Sequence, residues 1–474
     1  MARGTLEFLG KQEIARIHDT SIRVLEKVGV LVHSKPTRDM LLQAGAHASK
    51  DDSRVLMPEE LVKSTLSDAP KSILLAGRDK KHDITIPSTD KLYVATGGEG
   101  VYIKDMVSGQ TRPAHSNDLR DFAIISETLP QVDFFWPIVG ALEQPVRLKG
   151  MTELKVSMEN TAKHVQAMAT TALEARQMVE FGCIFTETPE ALAKRPLFSA
   201  VECPISPLTF EEGLVEAQVE LARGGIPVVA MSASVIGLTS PVTISGTIAQ
   251  VNAENLASLV ISQAAKKGAP FIYSSDSSPG DLQLGSIDYG ALEAPLVRAG
   301  MGQMGRHYGL PTMVCGIGLE DLSAGLANLW DGVPHLLTQS IVPSDLASGF
   351  GGIDQAAGAS FEQLLVDAWV WDVAKEFTRP FDATDEAISF ETIRDAGLDG
   401  NFLSKRHTAA RFRKESTATR NADAALGSRR KGTVRGAVLK KAHEEVARML
   451  KKPKEPLTSR QESQAMEDYL RKMR

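Results

Sequence analysis

The sequence predicts an α/β protein whose main body is a closed (βα)8 TIM barrel, with an N-terminal helical and hairpin cap and a helical C-terminal extension. Three observations lead there. About eight short runs are apolar along their length, helix-sized amphipathic segments separate them, and no GxGxxG or GxxxxGK[ST] phosphate loop follows the first run. Strands apolar on both faces belong to parallel sheets covered by helices, and this number of repeats favours a closed barrel over the alternative, an open doubly wound sheet.

The first helix is expected over Glu13–Val28, where Ile14, Ile17, Ile22, Leu25 and Val28 fall close to helical spacing and Gly29 ends the run. MPEELVKSTLSDAP opens a second helix at Pro58 and stops at Pro70, and SILLAGRDKKHDITIP reads as two strands around a Lys-rich turn. Together these form a cap, residues 1–91. The barrel is placed at 92–384, with strands LYVATGG, VDFFWPIVG, HVQAMAT, LFSAVECP, VVAMSAS, FIYSSD, TMVCGIG and HLLTQS. One repeat shows the rhythm: PVVAMSAS ends, Pro241 sits in a turn, a helix of about five turns follows, Gly268 closes it, and a new strand begins at Pro270. From 385 to 474 the composition shifts to Lys, Arg, Glu and Ala. The charged helical pieces FLSKRHTAARFRKE and VLKKAHEEVARMLKK are expected to be a solvated face or to wrap a partner subunit of a homo-oligomer.

At 474 residues and 43% hydrophobic, the chain can bury a large core. A net charge of -6 argues against a dominant basic surface for nucleic acid. Cys183, Cys203 and Cys315 are too few and too scattered for a disulfide framework or a CxxC zinc site. With no apolar run of roughly 18 residues and no signal-peptide core in MARGTLEFLGKQEIARIH, a soluble cytoplasmic protein without membrane contact is expected.

The stretch from Gly237 to Ser275, GLTSPVTISGTIAQVNAENLASLVISQAAKKGAPFIYSS, resembles the trimethylamine methyltransferase family, whose members repeat a phrase like PVTxAGxxAQxNAExLAxxVxxQxxxxGxPxIYGS between two strands. The likeness extends through EIARIHDTSIRVLEKVGV, the run from GGEGVYIKD to LPQVDF, and SPLTFEEGLVEAQVELARGGIPVV. GDLQLGSIDYGALEAPLVRAGMGQMGRHYGLP, GASFEQLLVDAW and FLSKRHTAARFRKE follow in the family's order. Asn252 and Gln263 of the first phrase are read as structural, satisfying loop backbone groups. The family's eponymous enzyme carries a pyrrolysine in the strand that here reads PTMVCGIGLED, whereas Met313 to Gly318 are standard residues. The chain therefore resembles the non-pyrrolysine branch, whose members include glycine betaine methyltransferases. DLSAGL only loosely echoes the family's D-A-Q-A-G segment, and PSDLASGFGGIDQAAG looks longer than the usual loop before SFEQ.

The resemblance implies methyl transfer from a quaternary amine to cobalt(I) of a corrinoid. The chain lacks a D-x-H-x-x-G corrinoid-binding motif, so the cobalt is expected on a separate small protein. A quaternary nitrogen leaves as a neutral amine, so no general acid is required and the acceptor is the nucleophile. This suits a chain with no evident triad, Schiff-base lysine or zinc signature, and no catalytic side chain is assigned.

Barrel sites lie at the carboxyl ends of the strands. The candidate substrate-binding residues are Gly97, Gly98, Trp136, Glu202, Tyr273, Asp276, Asp281, Cys315, Gly316, Gln339 and Phe350. Trp136, Tyr273, Tyr289, Trp330 and Phe350 could offer a cation an aromatic face, and Glu202, Asp276 and Asp281 a carboxylate. Backbone amides at Gly97 and Gly98 or in the Gly349–Gly352 turn could hold a betaine carboxylate. His335, placed at the start of the last strand, is read as a core histidine. Zinc held by Cys203, Cys315 and a histidine has no support in the spacing. The alternatives are a corrinoid-independent barrel lyase or hydrolase, needing a tuned base among Glu99, Glu202 and Asp276, and a quaternary-amine binding protein without catalysis.

Overall fold

The computed structural model describes residues 6–50, 53–281, 283, 285–316, 318, 327–342, 344–379, 381–398, 400–415, 435–452 and 455–473, without the side chains at 327–331, 333–334, 377 and 435–437. Eight parallel strands close into a barrel: β1 (Tyr93–Thr96), β2 (Phe134–Phe135), β3 (His164–Met168), β4 (Phe198–Glu202), β5 (Val228–Ser232), β6 (Phe271–Ser275), β7 (Thr312–Val314) and β8 (Leu346–Phe350). They pair in chain order, and β8 returns to β1 with Leu346 opposite Tyr93.

Successive side chains alternate between barrel interior and helix layer. On β4, Phe198 and Ala200 join the core under the helices, while Val201 points inward to meet Phe134, Val229, Ile272, Met313 and Leu346. The predicted hairpin forms as Ile73–Leu75 paired with Ile84–Ile86. Four of its five isoleucine and leucine side chains, Ile73, Leu75, Ile84 and Ile86, enter the same interior cluster, while Leu74 packs against the core under the helices. Ala76 and Arg78 amides bond to the carbonyls of Pro196 and Ala162, which precede β4 and β3, so the hairpin plugs the N-terminal end and leaves the other end open.

The outer helices are α1 (Lys11–Lys27), α2 (Lys35–Gln43), α3 (Glu59–Asp68), α4 (Ser116–Thr128), α5 (Val146–Asn160), α6 (Ala172–Thr186), α7 (Glu212–Gly224), α8 (Ile244–Ala265), α9 (Glu293–His307), α10 (Ala327–Ile341) and α11 (Phe361–Phe377). α8 lies between the barrel and the N-terminal cap, so 16 of its 22 residues are buried and its polar side chains must be paired. Asn252 donates to Ser21 Oγ and Tyr308 Oη, both 2.9 Å, and accepts from Tyr273 Oη at 2.7 Å. Gln263 bonds the Ala269 carbonyl and the Gly268 amide, which fixes the turn into β6. Among the described residues, no helix is long and apolar enough to cross a membrane.

The last strand departs from the sequence expectation. HLLTQS lies within α10, and β8 is LASGF, inside the stretch read as a loop. A six-residue run of mixed character carries no decisive period, and Leu336 turns into the core while His335 and Gln339, four apart, share a helix face. LASGF hides its strand character because Ser348 and Gly349 line the open end, where large inward side chains would fill the cavity. The segment DLSAGL and residue Ile317 lie outside the described residues.

Candidate active site

A cavity of about 460 Å³ opens at the carboxyl ends of the strands. One wall comes from the turn after β1. Gly98 lies against the indole of Trp136, so closely that a Cβ would sit 2.4 Å from Trp136 Cε2. Thr96 Oγ1 donates to the Trp136 carbonyl and accepts from its amide, pinning the indole's backbone to β1. Glu99 follows in a left-handed conformation, φ 56°, held by an amide bond to the Pro137 carbonyl. That conformation costs on the order of 1 kcal/mol in a non-glycine residue and sets the carboxylate at the cavity.

Behind Glu99 stands Lys149, which bridges Glu99 Oε2 at 3.1 Å and Glu153 Oε1 at 3.0 Å. Glu153 also accepts from the Ala141 amide at 2.8 Å. Burial, with the Glu99 charge adding to it, pushes Glu153 up to about 7. The folded chain thus binds this proton more tightly than the unfolded one, whose value lies near 4.5, and stability from this group falls as pH rises through that window. Glu153→Gln keeps the acceptor for Ala141 and removes the titration. Its stability relative to the parent is expected to rise by on the order of 2 kcal/mol between pH 5 and pH 8. Thermal unfolding across that range checks it, and a flat difference refutes it.

The facing wall is built on Arg298, which α9 carries into the barrel at 1% exposure. Its Nη2 donates to Asp276 Oδ1 at 3.1 Å, Nη1 to His335 Nδ1 at 3.3 Å, and the guanidinium lies 5.8 Å from the Tyr289 ring centre. A guanidinium only donates, so His335 Nδ1 accepts, and its Nε2–H donates to the Ala291 carbonyl at 3.2 Å. Burial and the neighbouring guanidinium push His335 down to about 4, leaving the imidazole neutral. Burial raises the Asp276 carboxyl and Arg298 opposes the rise, while the Tyr289 hydroxyl bonds the same carboxylate. Gly316 makes room for this group: its φ is +74° and a Cβ would lie 2.3 Å from Arg298 Nη1.

Sulfur makes up much of the remaining lining. Met168, Met231 and Cys315 line the cavity, with Cys315 Sγ donating to Met231 Sδ at 3.2 Å. Burial pushes the Cys315 thiol up to about 12, and Cys203 higher still. Neither is a thiolate at neutral pH. Among the described residues no cluster of three or more His, Cys, Asp or Glu side chains could hold a metal.

Six candidates from the sequence line the cavity: Gly97, Gly98, Trp136, Asp276, Cys315 and Gly316. Gln339 stands behind it, donating to the carbonyls of Cys315 at 2.5 Å and Gly316 at 3.0 Å from α10 and not from a strand end. Three candidates face the other way because strand alternation turns them into the helix layer. Glu202 lies in a small cleft with Gln218 of α7 and burial raises its carboxyl well above the ordinary range. Tyr273 bonds Asn252, and Phe350 packs edge-on against Trp371 at 6.5 Å. Asp281 lies in a short outer strand, Ser278–Asp281, accepting from the Gln283 amide at 2.8 Å, away from the cavity lining. The Trp330 side chain lies outside the described residues. Sequence reasoning missed Arg298. Its signal was an arginine inside PLVRAGMGQMG, where glycine and alanine neighbours leave space for a long side chain to turn inward.

The family model for trimethylamine methyltransferase (MTTB) matches residues 2–474. The chain belongs to the trimethylamine methyltransferase family. Trimethylamine methyltransferase MttB of Desulfitobacterium hafniense (strain DSM 10664 / DCB-2) is 28% identical over 406 residues, covering 85% of this chain and 82% of that protein. MttB of Methanosarcina barkeri is 27% identical over 413 residues, covering 85% and 82%. The glycine betaine methyltransferase of Desulfitobacterium hafniense (strain Y51) is 23% identical over 410 residues, covering 86% and 85%. Among solved structures, the monomethylamine methyltransferase MtmB of Methanosarcina barkeri aligns with a TM-score of 0.51 over 94% of this chain and 95% of its own, at 10% identity. That similarity supports the barrel fold, and the family assignment makes the chain a member of a methyltransferase family.

Proposed function

We propose that this chain transfers a methyl group from a quaternary amine, glycine betaine foremost, to cobalt(I) of a corrinoid carried by a separate small protein in the cytoplasm. One observation carries the reading: a single cavity combines surfaces that suit a cation with side chains that cannot attack it. Trp136 and Tyr289 supply aromatic rings, and Glu99 and Asp276 supply carboxylates. The lining thiol of Cys315 is held protonated and His335 is neutral and bonded at both nitrogens. The methyl acceptor must then be a second substrate.

In the reaction the methyl–nitrogen bond breaks with its electron pair staying on nitrogen, giving dimethylglycine. The new carbon–cobalt bond takes both electrons from cobalt(I). No proton moves, which suits a site whose acids are tied to Lys149 and Arg298. The protein's part is to hold the ammonium head, orient one methyl toward the open mouth and exclude water. Aromatic contact contributes about 0.5–2 kcal/mol of that binding. The ordinary residues at Met313 to Gly318 and the relative named glycine betaine methyltransferase support a quaternary substrate over trimethylamine.

Mixing the protein with a reduced corrinoid protein and glycine betaine is expected to replace the cobalt(I) absorption with that of methylcobalt(III), one equivalent per dimethylglycine formed. Carnitine, proline betaine and choline serve as competitors for specificity. Binding of these amines without any methyl transfer would sink the proposal.

A further inference from the structure

The C-terminal extension divides into parts that embrace the barrel and one that does not. α15 (Arg435–Lys451) packs on α11 and buries Ala442 and Val446, and α16 (Arg460–Met473) buries Met466 and Leu470 against α5 and α6. Between α11 and α15 lies an arm, residues 381–415, containing α12 (Asp385–Ile388), α13 (Phe390–Ala396) and α14 (Arg406–Glu415), none with a buried residue. Phe381, Phe390, Ile393, Leu398, Leu403 and Phe412 stand 54–107% exposed.

Helices of four, seven and ten residues are too short to persist alone. The ion pairs of Arg411 with Asp382 and Glu386 tie the arm to itself, and Arg379 with Glu415 ties its end to the segment that follows α11. Exposed pairs of this kind contribute only about 0–1 kcal/mol each. The exposed aromatic and aliphatic side chains amount to on the order of 1,000 Å², against about 800 Å² per partner in a stable interface. The arm therefore needs a surface beyond its own barrel to stay folded.

Charge identifies that surface. Residues 382–395 carry five acids and one base, and residues 405–414 carry five bases and no acid. Arg411 already pairs with Asp382 and Glu386 of its own arm. Charges outside those pairs, among them Asp385, Arg406 and Lys414, keep the two halves opposite in sign, so a two-fold axis sets the acidic half of one arm against the basic half of another. A transient partner such as a methyl-acceptor protein would leave the apolar side chains in water between encounters, whereas a second copy is always present. We propose that residues 381–415 are the contact through which a second copy of this chain binds, with the two arms antiparallel about a two-fold axis.

Sedimentation equilibrium of the full chain at micromolar concentration is expected to show a dimer or an assembly built from dimers. Phe390→Glu with Leu403→Glu should shift it to monomer while near-ultraviolet circular dichroism of the barrel stays unchanged. Asp385→Lys with Glu386→Lys, and separately Arg406→Glu with Lys414→Glu, should each weaken self-association at least tenfold. An equimolar mixture of these two charge variants should recover heterodimer near the parent affinity, a rescue that contacts within one chain cannot give. A monomeric parent, undiminished association of the Phe390/Leu403 variant, or a mixture that stays dissociated would each overturn the proposal.

Discussion

Arg298→Met is expected to lower stability by about 3 kcal/mol at pH 8, because it leaves the Asp276 carboxylate, 20% exposed in the cavity wall, without its buried cation. Methionine follows the arginine stem closely enough that packing changes little, so the loss is electrostatic. Three interactions vanish together: the bond to Asp276 Oδ1, the bond to His335 Nδ1 and the stack on Tyr289. The pH dependence separates this cause from simple misfolding. Burial already raises the Asp276 carboxyl with the guanidinium in place, and its removal lets the carboxyl rise further. A folded-state pKa above the unfolded one takes stability away as pH increases, so the deficit should shrink when the variant is measured at pH 5. Asp276→Asn added to Arg298→Met should recover most of the loss, since the second change removes the stranded charge. Urea midpoints of the single and double variants at both pH values decide it. An equal deficit at both values, unrelieved by the second substitution, would show that Arg298 acts through packing.

The parts of this site that the sequence reveals are those read from strand ends. TMVCGIG and VVAMSAS announce β7 and β5, and the positions after them place Cys315 and Gly316 at the cavity. Parity along a strand is harder to read. Glu202 ends β4 as expected and Tyr273 lies at the middle of β6, yet for both one residue decides between the interior and the helix layer, and in strands apolar on both faces nothing in the pattern marks which is which. The cluster around Arg298 was invisible for another reason. Its members come from α9, from the segment before it and from α10, so no local spacing joins Tyr289, Arg298 and His335. β8 was lost because the cavity demands small residues just where a strand signal needs large ones.

Trp136 offers the largest functional effect, and a graded series can separate its three roles. Trp136→Ala should cost about 3–5 kcal/mol of stability, as truncation of a large aromatic inside the barrel does. Any loss of turnover in that variant is therefore ambiguous. Trp136→Leu keeps part of the apolar volume and removes the π face together with the indole N–H. It is expected to lower kcat/KM for glycine betaine about tenfold, chiefly through KM, and Trp136→Phe should lower it less. A carbon isostere of glycine betaine, 3,3-dimethylbutyrate, makes the cation visible: it keeps betaine's shape and carboxylate and puts an uncharged carbon in place of the positive nitrogen. The parent should bind betaine more tightly than the isostere, and Trp136→Leu should narrow that gap while Glu99 and Asp276, still in place, keep part of it. If the leucine variant weakens both ligands equally, the indole contributes shape alone and the carboxylates hold the cation. Gly98→Ala tests the same ring by displacing it, because its new Cβ would meet Trp136 Cε2 at 2.4 Å and force the indole to shift within the cavity wall. It should weaken betaine and isostere together, since crowding does not distinguish charge, and that contrast with Trp136→Leu is what assigns the cation to the ring face.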